Sequence, residues 1–479
     1  MKNWFKKIIL NLIKMKKHVN TKELKWILTS SFLFSLVLIF SSSCKKYLDA
    51  KPDKSLVTPE SVQDLQGLLD YYSYMNNQCS DQGGIASDNY YLNDSDFAAL
   101  SADRERRAYL WESNIFMGGS PTDWQNEYTV VYNADIVLDN IGNIVRNSTN
   151  TSAWDNCKGS ALVFRAKSFY EIAQIWAKSY DSATADNVLG IPLRLTSNFN
   201  VKSVRSNLKD TYNRIINDLK AAIPLLPNMP IFPYRPSKCA AYGLLARTYL
   251  VMGNYQQAGL YADSSLQIDN KLLNYNTLDP ASSYPFSDVQ FTNPEDIMHS
   301  TCLGVNYDII PWEARIDSVL YQSYDANDLR KVLFFTPNPD GSAYFQGSYD
   351  GASGVMYNGI ATDEMYLIRA ECNARLGNPD KALDDLNTLL SNRYKTGTFI
   401  PYTLNNTNNV LNLILSERRK ELIFRMLRFS DLKRLNRDGA NITLKRIING
   451  QVYTLPPNDP RYALPIPDDV IKLTGMLQN

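Results

Sequence analysis

The chain has 479 residues, with 50 Lys and Arg against 49 Asp and Glu, long enough for a large core and roughly two or three folding units. The first 43 residues hold eight lysines and one glutamate, which leaves 42 basic and 48 acidic residues and a net charge of −6 in the remainder. That acidic balance excludes a nucleic-acid partner that would need a basic face, and with only His18 and His299 in the chain, His-dependent catalysis has little to draw on.

Reading from the amino end, a lysine-rich leader runs into an uncharged apolar stretch, Trp26 to Phe40, and then into Ser41-Ser42-Ser43-Cys44. A basic n-region, an apolar h-region and small residues before a cut describe a secretory signal peptide over residues 1–43. A cysteine placed directly after the small residues can carry a diacylglycerol on its thiol. Cys44 is therefore the expected lipidation site, tethering the mature protein to a membrane surface without a spanning helix. The run would nearly span a bilayer, which needs ~20 apolar residues, so a retained anchor is the competing reading. The start position is either Met1 or Met15.

Helical periodicity dominates the rest. Helices are expected over Trp124–Asn143, Asp155–Lys178, Val204–Leu226 and Val410–Arg437. The clearest pair covers Ser237 to Asp269, where Ala246, Tyr249, Gly253, Tyr255 and Ala258 fall at tetratricopeptide spacings. Ala370, Gly377 and Ala382 repeat Ala246, Gly253 and Ala258 at a constant offset of 124 residues. The expected fold class is mainly α, built on tetratricopeptide-like helix pairs. Between the helices lie long stretches rich in Asn, Asp, Ser, Gly, Pro and Tyr, at Gln78–Ala99, Leu273–Pro294 and Pro337–Asn358. Loops of this length are commonly functional, and their aromatic content argues against disorder.

No nucleophile, metal-protease, P-loop or dinucleotide motif is present. Beyond Cys44, five cysteines without a CxxC pair suggest neither a disulfide framework nor a zinc site; one chance bridge is open, and buried thiols are the default. The charges Glu417, Arg418, Arg419, Glu421, Arg425, Arg428 and Asp431 share a helix with the apolar positions Leu411, Leu415, Leu422, Met426 and Phe429, so ion pairs beside the core are expected there. Glu364 and Glu371 receive the same reading. The chain carries 30 Tyr and 7 Trp, whose flat faces and polar edges suit sugar stacking or wet interfaces. Binding is thus favoured over catalysis, with no enzyme activity and no cofactor expected. By chemistry the candidate ligand contacts are Asp88, Asn89, Tyr90, Tyr91, Trp111, Trp312 and Tyr344, with Trp111 expected to turn outward.

Several motifs then resemble one family in order. They are Cys44-Lys45-Lys46-Tyr47-Leu48-Asp49 with Lys51-Pro52-Asp53, and Trp124, Tyr128, Asn133-Ala134-Asp135 and Leu138. Phe164-Arg165-Ala166, Phe169-Tyr170 and Gly190-Ile191-Pro192-Leu193 follow, then Glu364 to Glu371, Glu417 to Leu422, Asp431-Leu432-Lys433-Arg434 and Leu464-Pro465-Ile466-Pro467. The chain resembles the SusD/RagB family of outer-membrane nutrient-binding lipoproteins of Bacteroidetes. The resemblance implies a SusD-like helical fold with loop-built ligand surfaces, arranged as an N-terminal region (44–235) and a C-terminal region (236–479) in one compact unit. It implies a SusC-like TonB-dependent transporter as partner, an oligosaccharide or peptide as ligand, and a lipid-anchored position on the outer membrane facing the cell exterior. The alternative is a tetratricopeptide-like scaffold that binds a protein partner and no small ligand.

Overall fold

A computed structural model describes residues 59–479 except 78, 118–121, 288–290, 304–312 and 353. The signal segment, Cys44 and Trp312 lie outside the described residues. The principal helices in chain order are α1 (Val62–Leu69), α2 (Thr122–Asn140), α3 (Thr151–Trp176), α4 (Leu208–Ala222), α5 (Lys238–Val251) and α6 (Tyr255–Leu266). They continue with α7 (Thr362–Arg375), α8 (Pro379–Ser391), α9 (Val410–Glu421), α10 (Arg428–Arg437) and α11 (Asp468–Thr474). The fold is mainly α, as expected.

The two sequence repeats become two helical hairpins, α5–α6 and α7–α8. Ala246, Ala258, Ala370 and Ala382 are all fully buried, so the small side chains lie where the helices come closest. Gly253 and Gly377 close the first helix of each pair at φ 76 and 79, a left-handed conformation that glycine adopts without a Cβ penalty. The same bond follows each: Asn254 N donates to Tyr249 O and Asn378 N to Asn373 O, both at 2.9 Å. The hairpins then stack, α6 on α7.

The amino-terminal half is organised around α3, which is buried on every face from Gly159 to Trp176 apart from Glu171. An all-round buried helix needs partners on all sides; α2, α4, α1 and the segment Ile223–Leu225 supply them. Inside this layer Arg165 bonds Asp135 of α2 at 2.9 Å and Asp218 of α4 at 2.8 and 2.9 Å. Among the described residues the strands are short and pair antiparallel in twos, such as Tyr90–Tyr91 with Arg315–Ile316 and Phe335–Pro337 with Ala343–Phe345. They staple loops and form no sheet core.

Three expectations change. Residues 410–437 are two helices, not one: Phe424 and Met426 adopt φ 54 and 59 between α9 and α10. Between the two helices Leu422, Ile423 and Phe424 are all buried, and the two left-handed residues set where the chain turns from α9 into α10. Residues 204–226 likewise open with a short strand, Arg205–Asn207, before α4 starts at the Asn207 cap. Finally, Cys79 and Cys302 form a disulfide across 223 residues, with Cα atoms 4.9 Å apart. Cys157, Cys239 and Cys372 are free and buried. Spacing along the chain carries no trace of a pair brought together only by folding.

The charged stretch of α9 lies within the core. Arg330, fully buried, bonds Asp328 at 2.7 Å, Glu417 at 2.6 Å and Glu421 at 2.9 Å. Arg393 bonds the other oxygen of Glu421 at 2.7 Å and reaches Glu295 at 2.7 Å. Tyr349 Oη donates to Glu295 at 2.7 Å, and Arg425 bonds Asp363 at 2.7 Å. Burial would raise the Glu417 and Glu421 carboxyls; the arginine charges outweigh it and hold both below the ordinary carboxylate range. Removing one member strands the others in low dielectric. Arg330→Met is expected to cost about 3–5 kcal/mol, read by urea unfolding, whereas Lys209→Ala, which breaks the exposed pair with Asp186, should leave the urea midpoint unchanged.

Candidate functional site

Three loops converge on one face. The hairpin Phe335–Pro337/Ala343–Phe345 pairs Thr336 with Tyr344. Strand parity sends Ala343 and Phe345 into the core and leaves Tyr344 half-buried on the outer side. Phe345 fixes the hairpin by packing on Phe424 at 5.0 Å and on Phe334 at 6.1 Å. Beside Tyr344 lie Ser283 and Tyr284 from the 278–287 loop, and Tyr321 from the short helix Ser318–Gln322. Two adjoining cavities of about 260 and 570 Å³ share Ser283, Tyr344 and Gln346, making one groove.

The groove has stacking faces and neutral hydrogen-bonding groups. Tyr284 is 37% exposed. The Tyr321 ring meets Phe335 edge-on at 5.5 Å, and the Lys331 ammonium stands 5.3 Å from its centre. Gln346 accepts from Thr336 Oγ1 through its side chain, and its backbone N–H donates to Phe334 O at 2.7 Å. Gly351 lets the 346–352 loop close against its neighbour: its φ is +68, and an added Cβ would sit 2.5 Å from Ser287 Cα. Among the described residues the lining holds no Asp, Glu or His, so it offers no acid–base pair.

The remaining candidates are placed as follows. Asp88 is paired with Arg428 at 2.7 and 2.8 Å and approached by Arg419 at 3.4 Å. Burial would raise its carboxyl, but Arg428 and Arg419 outweigh burial and hold it well below the ordinary range. Asn89 is buried, and its carbonyl accepts from Asp317 N at 2.9 Å. Tyr90 is buried, with Oη donating to Ile85 O at 3.2 Å and Phe424 packed on its ring at 6.2 Å. Tyr91 alternates outward, and Arg315, paired opposite it, reaches Asp340 of the hairpin turn at 3.5 Å. Trp111 turns inward instead of outward. It is 3% exposed, its Nε1 donates to Ala86 O at 3.0 Å, and the Arg446 guanidinium lies 4.3 Å from its ring. Its backbone φ of 55 swings the ring back under the loop. Of the named residues that are described, Tyr344 lines the groove. Tyr284 and Tyr321 were not singled out, although Tyr284 belongs to a Tyr-bearing polar stretch already marked in sequence.

Glu295, Asp363 and Glu421 bring ligand atoms within 4.8 Å of one another, a spacing that suits a cation. Their oxygens are all engaged. Arg393 and Arg330 take both oxygens of Glu421, Arg393 and Tyr349 take those of Glu295, and Arg425 takes those of Asp363. Guanidinium charge fills the role a metal would have.

A helical scaffold presenting an aromatic and polar groove on its loops defines a binding protein. Residues 46–250 match the SusD-like family described as starch-binding and associating with the outer membrane, and residues 362–479 match the SusD family. The chain belongs to the SusD/RagB family, whose members are outer-membrane-associated carbohydrate-binding proteins. It is similar in fold to a SusD superfamily protein of Bacteroides thetaiotaomicron, with a TM-score of 0.68 and 20% identity over 88% of this chain and 99% of that one. A SusD-like carbohydrate-binding protein of Bacteroides vulgatus gives 0.64 and 21% over 86% and 96%. A laminarin-binding SusD-like protein gives 0.62 and 17% over 87% and 97%. No curated protein matches the chain. Among the described residues no helix is long and apolar enough to cross a membrane.

His299 ties the groove's inner loop to the frame, bonding Asp296 at 2.5 Å and Asp350 at 3.2 Å. Burial alone would lower its pKa; the bonds to Asp296 and Asp350 outweigh burial and raise it from 6.5 to about 9. The folded state therefore holds the proton more tightly than the unfolded chain. Its contribution is complete below pH 6.5 and is lost as pH rises through about 9. Thermal melts from pH 6 to 9.5 should fall over that window, and His299→Gln should flatten the decline.

Proposed function

We propose that the protein is a cell-surface lipoprotein, anchored through Cys44, that captures an oligosaccharide in the Tyr284–Tyr321–Tyr344 groove. It then delivers the ligand to a SusC-like TonB-dependent transporter. The observation that carries this reading is the groove itself, three surface tyrosines interleaved with Ser283, Gln346 and Thr336 on loops held by a rigid core. Pyranose rings have an apolar face that stacks on such rings, and hydroxyls that bond amide and hydroxyl groups. Membership in a family of carbohydrate binders supports the ligand class, and the Ser-Ser-Ser-Cys sequence supports the anchor. Tyr91, on the strand beside the hairpin, extends the surface available to a longer chain.

Calorimetric titration of laminarin, starch and mannan oligosaccharides tests the groove. At least one should bind, and the Tyr284→Ala/Tyr344→Ala pair should weaken it tenfold or more, equivalent to about 1.4 kcal/mol. Undiminished affinity in that pair would remove the groove from consideration. Affinity capture of the lipidated protein from detergent-solubilised outer membranes tests the partner. A large β-barrel at near-equal stoichiometry is expected, and its reproducible absence would favour the scaffold alternative.

A further inference from the structure

A second cavity of about 240 Å³ lies against α2 and shares no lining residue with the loop groove. Trp124, Tyr128, Tyr132 and Asp135 recur at helical spacing along one face of α2. Thr196 and Ser203 face them, and the carboxy-terminal helix α11 closes the other side through Val470 and Thr474. The rings are held in place: Trp124 and Tyr128 lie 4.9 Å apart, Trp124 meets Trp176 edge-on at 5.1 Å, and Tyr128 Oη donates to Pro192 O at 2.8 Å. Tyr132 forms the open rim, 46% exposed.

Asp135 is the informative member. It lines the cavity, is 1% exposed, and offers only Oδ1 to Arg165; its Oδ2 is buried and has no hydrogen-bond partner in the protein. Such groups are rare, because an unmade bond to a buried acceptor costs about 1–3 kcal/mol. The cavity is where the missing donor would come from. Burial lifts the Asp135 carboxyl to about 6 despite Arg165 beside it, as expected where hydration lost on folding has not been replaced.

The surrounding charge selects the kind of donor. Asp135, Asp139 and Asp218 stand against Arg165, Arg194, Arg214 and Arg205, the last acting on Tyr128 and spent on the carbonyls of Gly190 and Leu477. Arg165 and Arg214 are spent on the first and third carboxylates, Arg194 on the carbonyls of Asn198 and Val201, and Asp139 on Thr196 and Ser197. Four guanidiniums against three carboxylates disfavour a cation, and each guanidinium is already engaged within the protein, so none is free to hold an anion. What remains are aromatic faces, hydroxyls and one acceptor in need of a neutral O–H. Ligand pockets for drug-sized molecules run about 300–1,000 Å³, so this cavity suits one ring rather than a chain. We propose that it is a second sugar subsite, taking a single neutral pyranose whose face stacks on the α2 aromatics and whose hydroxyl bonds Asp135. The ligand class rests on the carbohydrate-binding reading; the location is independent of the loop groove.

Saturation-transfer NMR on the mature chain, with methyl β-D-glucopyranoside, methyl α-D-mannopyranoside and N-acetylglucosamine as probes, tests this directly. At least one should give a signal that is unchanged in Tyr284→Ala/Tyr344→Ala and falls fivefold or more in Tyr132→Ala. Asp135→Asn should abolish it; should loss of the Arg165 pair unfold that variant, the exposed Tyr132 substitution still decides. No signal from any probe, a signal that survives Tyr132→Ala, or one lost only in the groove pair would overturn the subsite. So would a stronger response to n-butylammonium, which would assign a cation instead. Oligosaccharide titrations of the groove pair are read separately, so the groove can fail while the subsite stands, and the reverse.

Discussion

The structure depends on a chain of buried charges that runs through its carboxy-terminal half. Arg330, Arg393 and Arg425 alternate with Glu417, Glu421, Glu295 and Asp363, and Tyr349 joins the last two carboxylates. Burying such groups is costly, and the cost is offset only when each has its partners in good geometry. Three segments of the groove are rooted in this network, while the Tyr344 hairpin is fixed by Phe345. Glu295 sits at the base of the 278–287 loop's return and also accepts from Leu273 N at 2.7 Å. Tyr349 belongs to the 346–352 loop, and Asp328 and Arg330 lie between Tyr321 and Lys331 in the chain. A network with all its carboxylate oxygens engaged admits one arrangement of these segments. The groove therefore inherits the rigidity of the core beneath it.

That arrangement reconciles long loops with a fixed binding surface. The helical hairpins α5–α6 and α7–α8 bury alanines and set a frame, but they present no groove of aromatic and hydroxyl groups. The loops do, because strand parity and short antiparallel pairs turn alternate residues outward. Tyr344 and Tyr91 face out for the same reason that Phe345 and Tyr90 face in. The Cys79–Cys302 disulfide adds a covalent tie between the amino-terminal segment and the strand Thr301–Leu303, in keeping with an exported protein, whose compartment permits disulfides.

The two cavities differ in what they ask of a ligand. The loop groove is open and lined by neutral groups and the Lys331 ammonium, and the proposed ligand for it is an extended chain. The α2 cavity is smaller, lies between one face of α2, the 192–203 segment and α11, and contains a buried carboxylate oxygen still lacking a donor. Arg165 links it to the core by holding Asp135 and Asp218 on one guanidinium.

Local pattern determined much of this protein. The helical repeats were legible because Ala246, Gly253 and Ala258 recur as Ala370, Gly377 and Ala382, and small residues with a turn glycine state their packing without reference to distant segments. The charged stretch from Glu417 to Asp431 was legible as ion-paired, since apolar residues beside it announced a buried face. The family could be read from its ordered motifs. Tertiary structure alone decided the rest. Phe424 and Met426 break the expected helix in left-handed conformations, held by packing of Phe424 on Phe345 and Tyr90, residues far away in sequence. Cys79 meets Cys302 only once residues 223 apart are folded together. Trp111 and Tyr90 were indistinguishable from Tyr344 by composition. Whether an aromatic residue in a loop becomes core or surface depends on strand pairing and on partners such as Arg446 and Phe424, contacts between segments hundreds of residues apart that no local window contains.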